Sequence, residues 1–181
     1  MKAILMHGMN TDPDGKWYPW FRDEVLRLGY EFHAPALPDS QDPDVEVWKQ
    51  YISDLLPDDD TVLIGHSRGG VAILRWLEEQ PANLKIKKVI LIAVNSGFVY
   101  KRAIPDETNH GFYTEDGYDF DKIRQHCDDF VVLHSKDDQW VPYEAGVENA
   151  NGLHARLLTF ENRGHFGKGV NKVPELIKEL K

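Results

Sequence analysis

The octapeptide LIGHSRGG, residues 63–70, sets a serine between glycines two positions away on either side. The apolar run TVLIGH (61–66) has the length and composition of a buried strand, and RGGVAILRWLEEQ (68–80) has helical period. Gly65-x-Ser67-x-Gly69 therefore falls on a strand-to-helix junction, the context in which G-x-S-x-G presents a nucleophile. Such a turn strains the serine backbone and brings neighbouring chain so close that side chains at 65 and 69 would collide. It lifts Ser67 Oγ out of the sheet and turns the Arg68 amide, in the first helical turn, toward any oxyanion formed there. The plainer alternative is that Ser67 caps the helix and the glycines mark only a tight turn.

Outward from this junction the chain alternates short apolar runs with helical segments. KAILMH (2–7) reads as a buried strand, and Tyr18 to Leu28 as a helix with Phe21, Val25 and Leu28 on one face, stopped by Gly29. YEFHAPAL (30–37) is a short second strand, and Pro43 opens a helix carrying Val47, Tyr51 and Leu55 that Pro57 closes. KKVILIAV (87–94), FVVLHS (130–135) and ARLLTF (155–160) read as strands, with helices over DFDKIRQHC (119–127) and VPELIKEL (173–180). The alternation predicts an α/β fold, a mostly parallel sheet with helices on both faces, spanning 1–181 as one domain. The connection from Asn95 to Tyr118 breaks the rhythm and holds Phe98, Tyr100, Phe112, Tyr113 and Tyr118. Long loops in compact domains tend to be functional or disordered, and this aromatic content argues against disorder.

Bulk composition narrows the function. With 181 residues the chain can bury roughly 70% of the surface its unfolded form exposes, so it needs no covalent staples. Thirty acidic against twenty-one basic residues give a formal charge of −9, which disfavours nucleic acid and anionic membranes as partners. The N-terminal apolar run, Ala3 to Met6, is too short for a signal-peptide core, and no stretch approaches a membrane span. The single cysteine, Cys127, excludes an internal disulfide framework, and a cytoplasmic protein is expected.

A serine hydroxyl needs a base, and the base needs an orienting group. Of eight histidines, His165 in NRGHFG follows the last strand between glycines, where a loop can carry the imidazole over the sheet. His7 opens HGMN after the first strand, and His66 sits inside the turn, where its side chain packs beneath; His33, His110, His126, His134 and His154 have no comparable setting. HSKDDQWVP (134–142) follows the fifth strand and offers Asp137 and Asp138 as the acid. Serine, acid, histidine is the chain order of α/β-hydrolases, obeyed by Ser67, Asp138 and His165. Each candidate also sits at the carboxyl end of a predicted strand, where sites gather in open α/β sheets.

The whole chain resembles the small, lid-free α/β-hydrolases of the retinoblastoma-binding protein 9 family. The likeness rests on the first strand and its HG turn, WYPWF (17–21), PALPD (35–39), IGHSRGG (64–70), GFYTEDGYDFDKI (111–123), SKDDQWVP (135–142) and GHF (164–166). It implies a single-domain α/β-hydrolase fold without a large lid, Ser67 as nucleophile and His165 as base. It further implies Asp138 rather than Asp137 as the acid, three residues before the valine of Val141-Pro142. An oxyanion hole pairing the Arg68 amide with that of Met9, or alternatively Asn10, follows from the same likeness. The family's L-x-C-x-E motif for retinoblastoma protein has no counterpart, because Cys127 stands in QHCDD (125–129).

The reading is a serine hydrolase cleaving small-molecule esters through an acyl-enzyme, with no cofactor and no metal, since neither zincin histidine spacing nor G-x-G-x-x-G nor Walker A is present. Two alternatives stay open: a peptidase or amidase with the same triad, and a hydrolase-like interaction module. Arg68, disfavoured by the helix macrodipole, either meets an anionic part of the substrate or pairs with a surface carboxylate. Trp17 and Trp20 either line an acyl pocket, with aromatics from 95–118, or anchor the first helix in the core. With little room for a lid after 87–94, the site is expected to be open and to suit small or flexible acyl groups.

Overall fold

The structure is a computed structural model and describes residues 1–98 and 109–181. Six strands, β1 (Lys2–Met6), β2 (Glu31–His33), β3 (Thr61–His66), β4 (Lys88–Ile92), β5 (Phe130–Ser135) and β6 (Arg156–Phe160), form one sheet in the order β2-β1-β3-β4-β5-β6. Every neighbouring pair is parallel, so each crossover passes over a face of the sheet. The helices are α1 (Tyr18–Arg27), α2 (Val45–Asp54), α3 (Arg68–Glu78), α4 (Phe120–Arg124), α5 (Tyr143–Leu153) and α6 (Pro174–Glu179).

Strand side chains alternate between two apolar layers, as a sheet covered on both faces requires. Ile4, Met6, Leu63, Val89, Leu91 and Val132 join one core with residues of α2, α3, α4 and α5. Ala3, Leu5, Val62, Ile64, Ile90, Ile92 and Leu133 join the other with Trp17, Phe21 and Val25 of the first helix region and Leu176 of α6. The expected continuous apolar runs are therefore β3, β4 and β5, flanked by neighbours on both sides, while the edge strand β6 is half-exposed.

Three local departures from the sequence reading have physical causes. The second helix is capped by Asp44, whose side chain accepts from the amides of Glu46 and Val47, and it buries Val45, Trp48 and Ile52. Val47 points outward instead, because the large Trp48 indole takes the inner face and donates to Pro38 O at 3.0 Å. Helix α5 was not expected, since Gly146, Asn149, Asn151 and Gly152 give it low intrinsic propensity. Packing overrides that preference: a Cβ on Gly146 would meet His134 at 2.5 Å, and one on Gly152 would meet Phe120 at 2.4 Å.

The described ends of the 95–118 connection are tied to α3. Arg75 donates to Phe112 O, Gly117 O and Gly97 O at 3.1, 2.8 and 3.1 Å, and Phe98 bridges to Thr114. Tyr100 lies outside the described residues. Among the described residues no helix is long and apolar enough to cross a membrane.

Candidate active site

β3 ends at His66 and α3 begins at Arg68, which leaves Ser67 alone to turn the chain. Its φ of 52° and ψ of −125° are strained for an L-residue, and its amide is held by Ile92 O on β4 at 2.9 Å. The turn closes only because two side chains are missing. A Cβ on Gly65 would stand 2.3 Å from Gly70 Cα, and one on Gly69 would stand 2.2 Å from Met6 O. Although Ser67 occupies the N-cap position of α3, its hydroxyl makes no capping bond. It donates instead to His165 Nε2 at 2.9 Å.

His165 reaches Ser67 on the loop after β6, between Gly164 and Phe166, both in left-handed backbone conformations with φ of 48° and 50°. Its Nδ1–H donates to Asp138 Oδ2 at 2.8 Å. The other Asp138 oxygen accepts from the amides of Trp140 and Val141 at 2.9 and 3.0 Å, so the fully buried carboxyl is oriented from two sides. Burial disfavours its charge, yet the hydrogen bond and charge of His165 and the two amides outweigh that and hold it below the usual carboxylate range. Asp137 has a different task. Its Oδ1 accepts from Ser135 Oγ at 2.5 Å and from the Gly164 amide at 2.8 Å, pinning the loop that presents His165.

His66 provides a second anchor for that loop. Its Nε2–H donates to His165 O at 2.9 Å, while Nδ1 accepts from Tyr18 Oη at 2.6 Å; the same hydroxyl lies 3.5 Å from the Gly8 amide. Complete burial, with further contributions from Lys16 and His165, keeps the imidazole well below its usual pKa and therefore neutral. Tyr18 is pushed up by burial, so it keeps the proton that it donates. One chain of hydrogen bonds thus joins the loop after β1, the turn at Ser67 and the His165 loop. His66 is fully buried, as its place in the turn predicts, and it joins the His165 carbonyl, 99 residues away, to Tyr18 on α1, 48 residues away. His7 ties the β1 loop to the β2 side: Nδ1–H donates to Gly8 O at 2.9 Å, and Nε2 accepts from the Leu37 amide at 3.0 Å.

A cavity of about 410 Å³ opens over Ser67. Its walls include Met9, Asn10, Arg68 and His165 among the residues expected from sequence, and Lys16, Asn95, Trp140 and Val141, which were not assigned to a site. Trp140 and Val141 lie in the SKDDQWVP stretch, the one signal that pointed to them. The Asn10 amide donates to Ser40 O at 2.8 Å. Arg68 is buried, with its guanidinium 4.9 Å from the Phe112 ring centre and 5.5 Å from that of Tyr113. Trp17 is fully buried and Trp20 packs against the same core, so both anchor α1 rather than line the cavity. Tyr113 of the aromatic connection does line it, while Phe112 and Tyr118 are core residues. Among the described residues no group of three or more His, Cys, Asp or Glu side chains is placed to hold a metal ion.

Comparison with known proteins gives the family and the fold. YdeN of Bacillus subtilis (strain 168) is 29% identical over 167 residues, 91% of this chain and 85% of that protein. The serine hydrolase RBBP9 of Rattus norvegicus is 28% identical over 169 residues, 91% of this chain and 84% of its own length. The crystal structure of the B. subtilis ydeN gene product superimposes with a TM-score of 0.87 at 26% identity, over 99% of this chain and 96% of that one. An esterase from Exiguobacterium antarcticum shares the fold, with a TM-score of 0.72 at 17% identity over 99% and 90% of the two chains. The family model described as serine hydrolase matches residues 3–181. This chain, with its α/β-hydrolase fold, belongs to the serine hydrolase family and is a hydrolase.

Proposed function

We propose that the chain hydrolyses small carboxylic esters through a Ser67-His165-Asp138 triad and an acyl-enzyme intermediate. The observation behind this reading is the unbroken hydrogen-bond path from Ser67 Oγ to His165 Nε2 at 2.9 Å and from His165 Nδ1 to Asp138 Oδ2 at 2.8 Å. Ser67 Oγ attacks the ester carbonyl as its proton passes to His165 Nε2. Asp138 keeps Nδ1 protonated, so Nε2 is the free base, and its charge stabilises the imidazolium that forms. His165 then protonates the departing alcohol, and water attacks the acyl-enzyme by the reverse path.

The tetrahedral oxyanion is held by the amides of Arg68, at the N-terminus of α3, and of Met9. Asn10, whose amide donates to Ser40 O, is the alternative second donor. A cavity of about 410 Å³ suits small or flexible acyl groups. The cytoplasmic setting expected from sequence remains part of this proposal. An interaction module gives no reason to hold a strained serine against an oriented imidazole, so we favour catalysis.

Labelling of the native protein with a neutral fluorophosphonate tests the reading. Wild type is expected to label, and Ser67→Ala and His165→Ala to lose labelling while remaining folded. Unlabelled, folded wild type would refute an activated Ser67.

A further inference from the structure

The cavity wall opposes the charge of the molecule. The chain carries 30 acidic residues and a formal charge of −9, yet among the described residues no aspartate or glutamate lines the cavity over Ser67, while Lys16 and Arg68 do. Lys16 is the more telling of the two. Its backbone takes φ of 55°, a left-handed conformation that favours glycine, and the residue lines the cavity. It lines both the cavity over Ser67 and the neighbouring groove beside His165, Trp140 and Arg163.

The Lys16 ammonium meets no carboxylate within ion-pair distance among the described residues, although surface lysines on this protein, such as Lys122 and Lys136, have such partners. It is half-buried, and that burial lowers it to about 8, so it is still charged at neutral pH. A desolvated cation without a counterion is a cost to the free protein that an arriving anion removes.

We infer that Lys16 is the anion-recognition residue of this site and that the preferred substrates are esters bearing a carboxylate. The proposal rests on the Ser67 hydrolase reading and narrows its substrate class. The carboxylate docks on Lys16 Nζ while the ester carbonyl lies against Ser67 Oγ.

The test compares two isosteric fluorogenic substrates, the 4-methylumbelliferyl monoester of adipic acid and that of its neutral monoamide, on wild type, Lys16→Gln and Lys16→Arg. A separate aliquot of each protein is labelled with the neutral fluorophosphonate, which reports Ser67 without using Lys16. The expected result is equal labelling of all three. Wild type should prefer the carboxylate in kcat/KM by roughly tenfold, the scale of one partly desolvated ion pair, chiefly through KM. Lys16→Gln should abolish the preference and Lys16→Arg should restore most of it. Equal labelling with no carboxylate preference in wild type, or a preference unchanged in Lys16→Gln, overturns the proposal and leaves the hydrolase reading standing. Absence of labelling in folded wild type refutes the hydrolase reading, and the proposal with it.

Discussion

Asp137 and Asp138 are adjacent carboxylates with opposite fates, and the pair of variants Asp138→Asn and Asp137→Asn separates them. In the native site, Asp138 Oδ1 accepts from the amides of Trp140 and Val141, and Oδ2 accepts from His165 Nδ1–H. An asparagine at 138 must keep its oxygen toward the two backbone donors, because an NH2 group there would face two N–H groups. Its NH2 then points at His165 Nδ1, which has to become the acceptor, so the imidazole proton moves to Nε2. Nε2–H cannot take the proton of Ser67, and the base is lost although no atom has moved far. The expected fall in kcat is about 10⁴-fold, equivalent to about 5.4 kcal/mol of transition-state stabilisation.

At 137 the same change is mild. One oxygen accepts from Ser135 Oγ and the Gly164 amide, and an asparagine keeps a carbonyl oxygen in that place, so kcat should change by no more than a few-fold. Steady-state hydrolysis of 4-nitrophenyl acetate gives kcat, and thermal unfolding checks that both variants are native. The reasoning is refuted if Asp138→Asn stays within tenfold of wild type, or if Asp137→Asn is the more damaging.

Two further outcomes follow from the packing and the buried histidines. Gly69→Ala sets a Cβ 2.2 Å from Met6 O, a backbone atom that cannot swing aside, and should cost at least about 3 kcal/mol in urea unfolding. Gly167→Ala, whose nearest neighbour is 4.0 Å away, should stay within about 0.5 kcal/mol, and equal effects of the two would sink the steric account of the turn. His7, His66 and His134 are each lowered, chiefly by burial, from 6.5. Below that pH the unfolded chain binds protons that the native state refuses, so stability should fall as pH drops through 6.5, by at most about 1.4 kcal/mol per pH unit from each site. Chemical denaturation at pH 7.5, 6.5 and 5.5 reads the slope, and a flat profile between the last two would contradict it.

Local patterns and the order of elements along the chain are legible in the residues alone. Runs such as VILI at 89–92 read as buried strands because both faces of β4 are covered, so no polar residue interrupts them. The turn at Ser67 was legible because its tight fit demands glycine at 65 and 69 regardless of the rest of the fold. Ser67, the Asp137-Asp138 pair and His165 could be lined up in advance because a parallel sheet brings the carboxyl ends of its strands to one edge, and the family resemblance pointed to Asp138 within the pair. Chain order then maps onto spatial order.

Only the tertiary structure decided matters that depend on partners far along the chain. Helix α5 forms against its own glycines and asparagines because His134 and Phe120 need close neighbours there, and α2 turns Trp48 inward rather than Val47. The difference between Asp137 and Asp138 is one residue in sequence, yet one faces Gly164 and the other His165, and that depends on how a loop 27 residues later is folded back. The Asn10 amide is held by Ser40 O, and His66 joins the His165 carbonyl to the Tyr18 hydroxyl. Lys16 shows the limit most plainly. Nothing in a single lysine of a Gly-Lys turn foretells that its ammonium will be half-buried beside Ser67, because burial is a property of the neighbours that surround it.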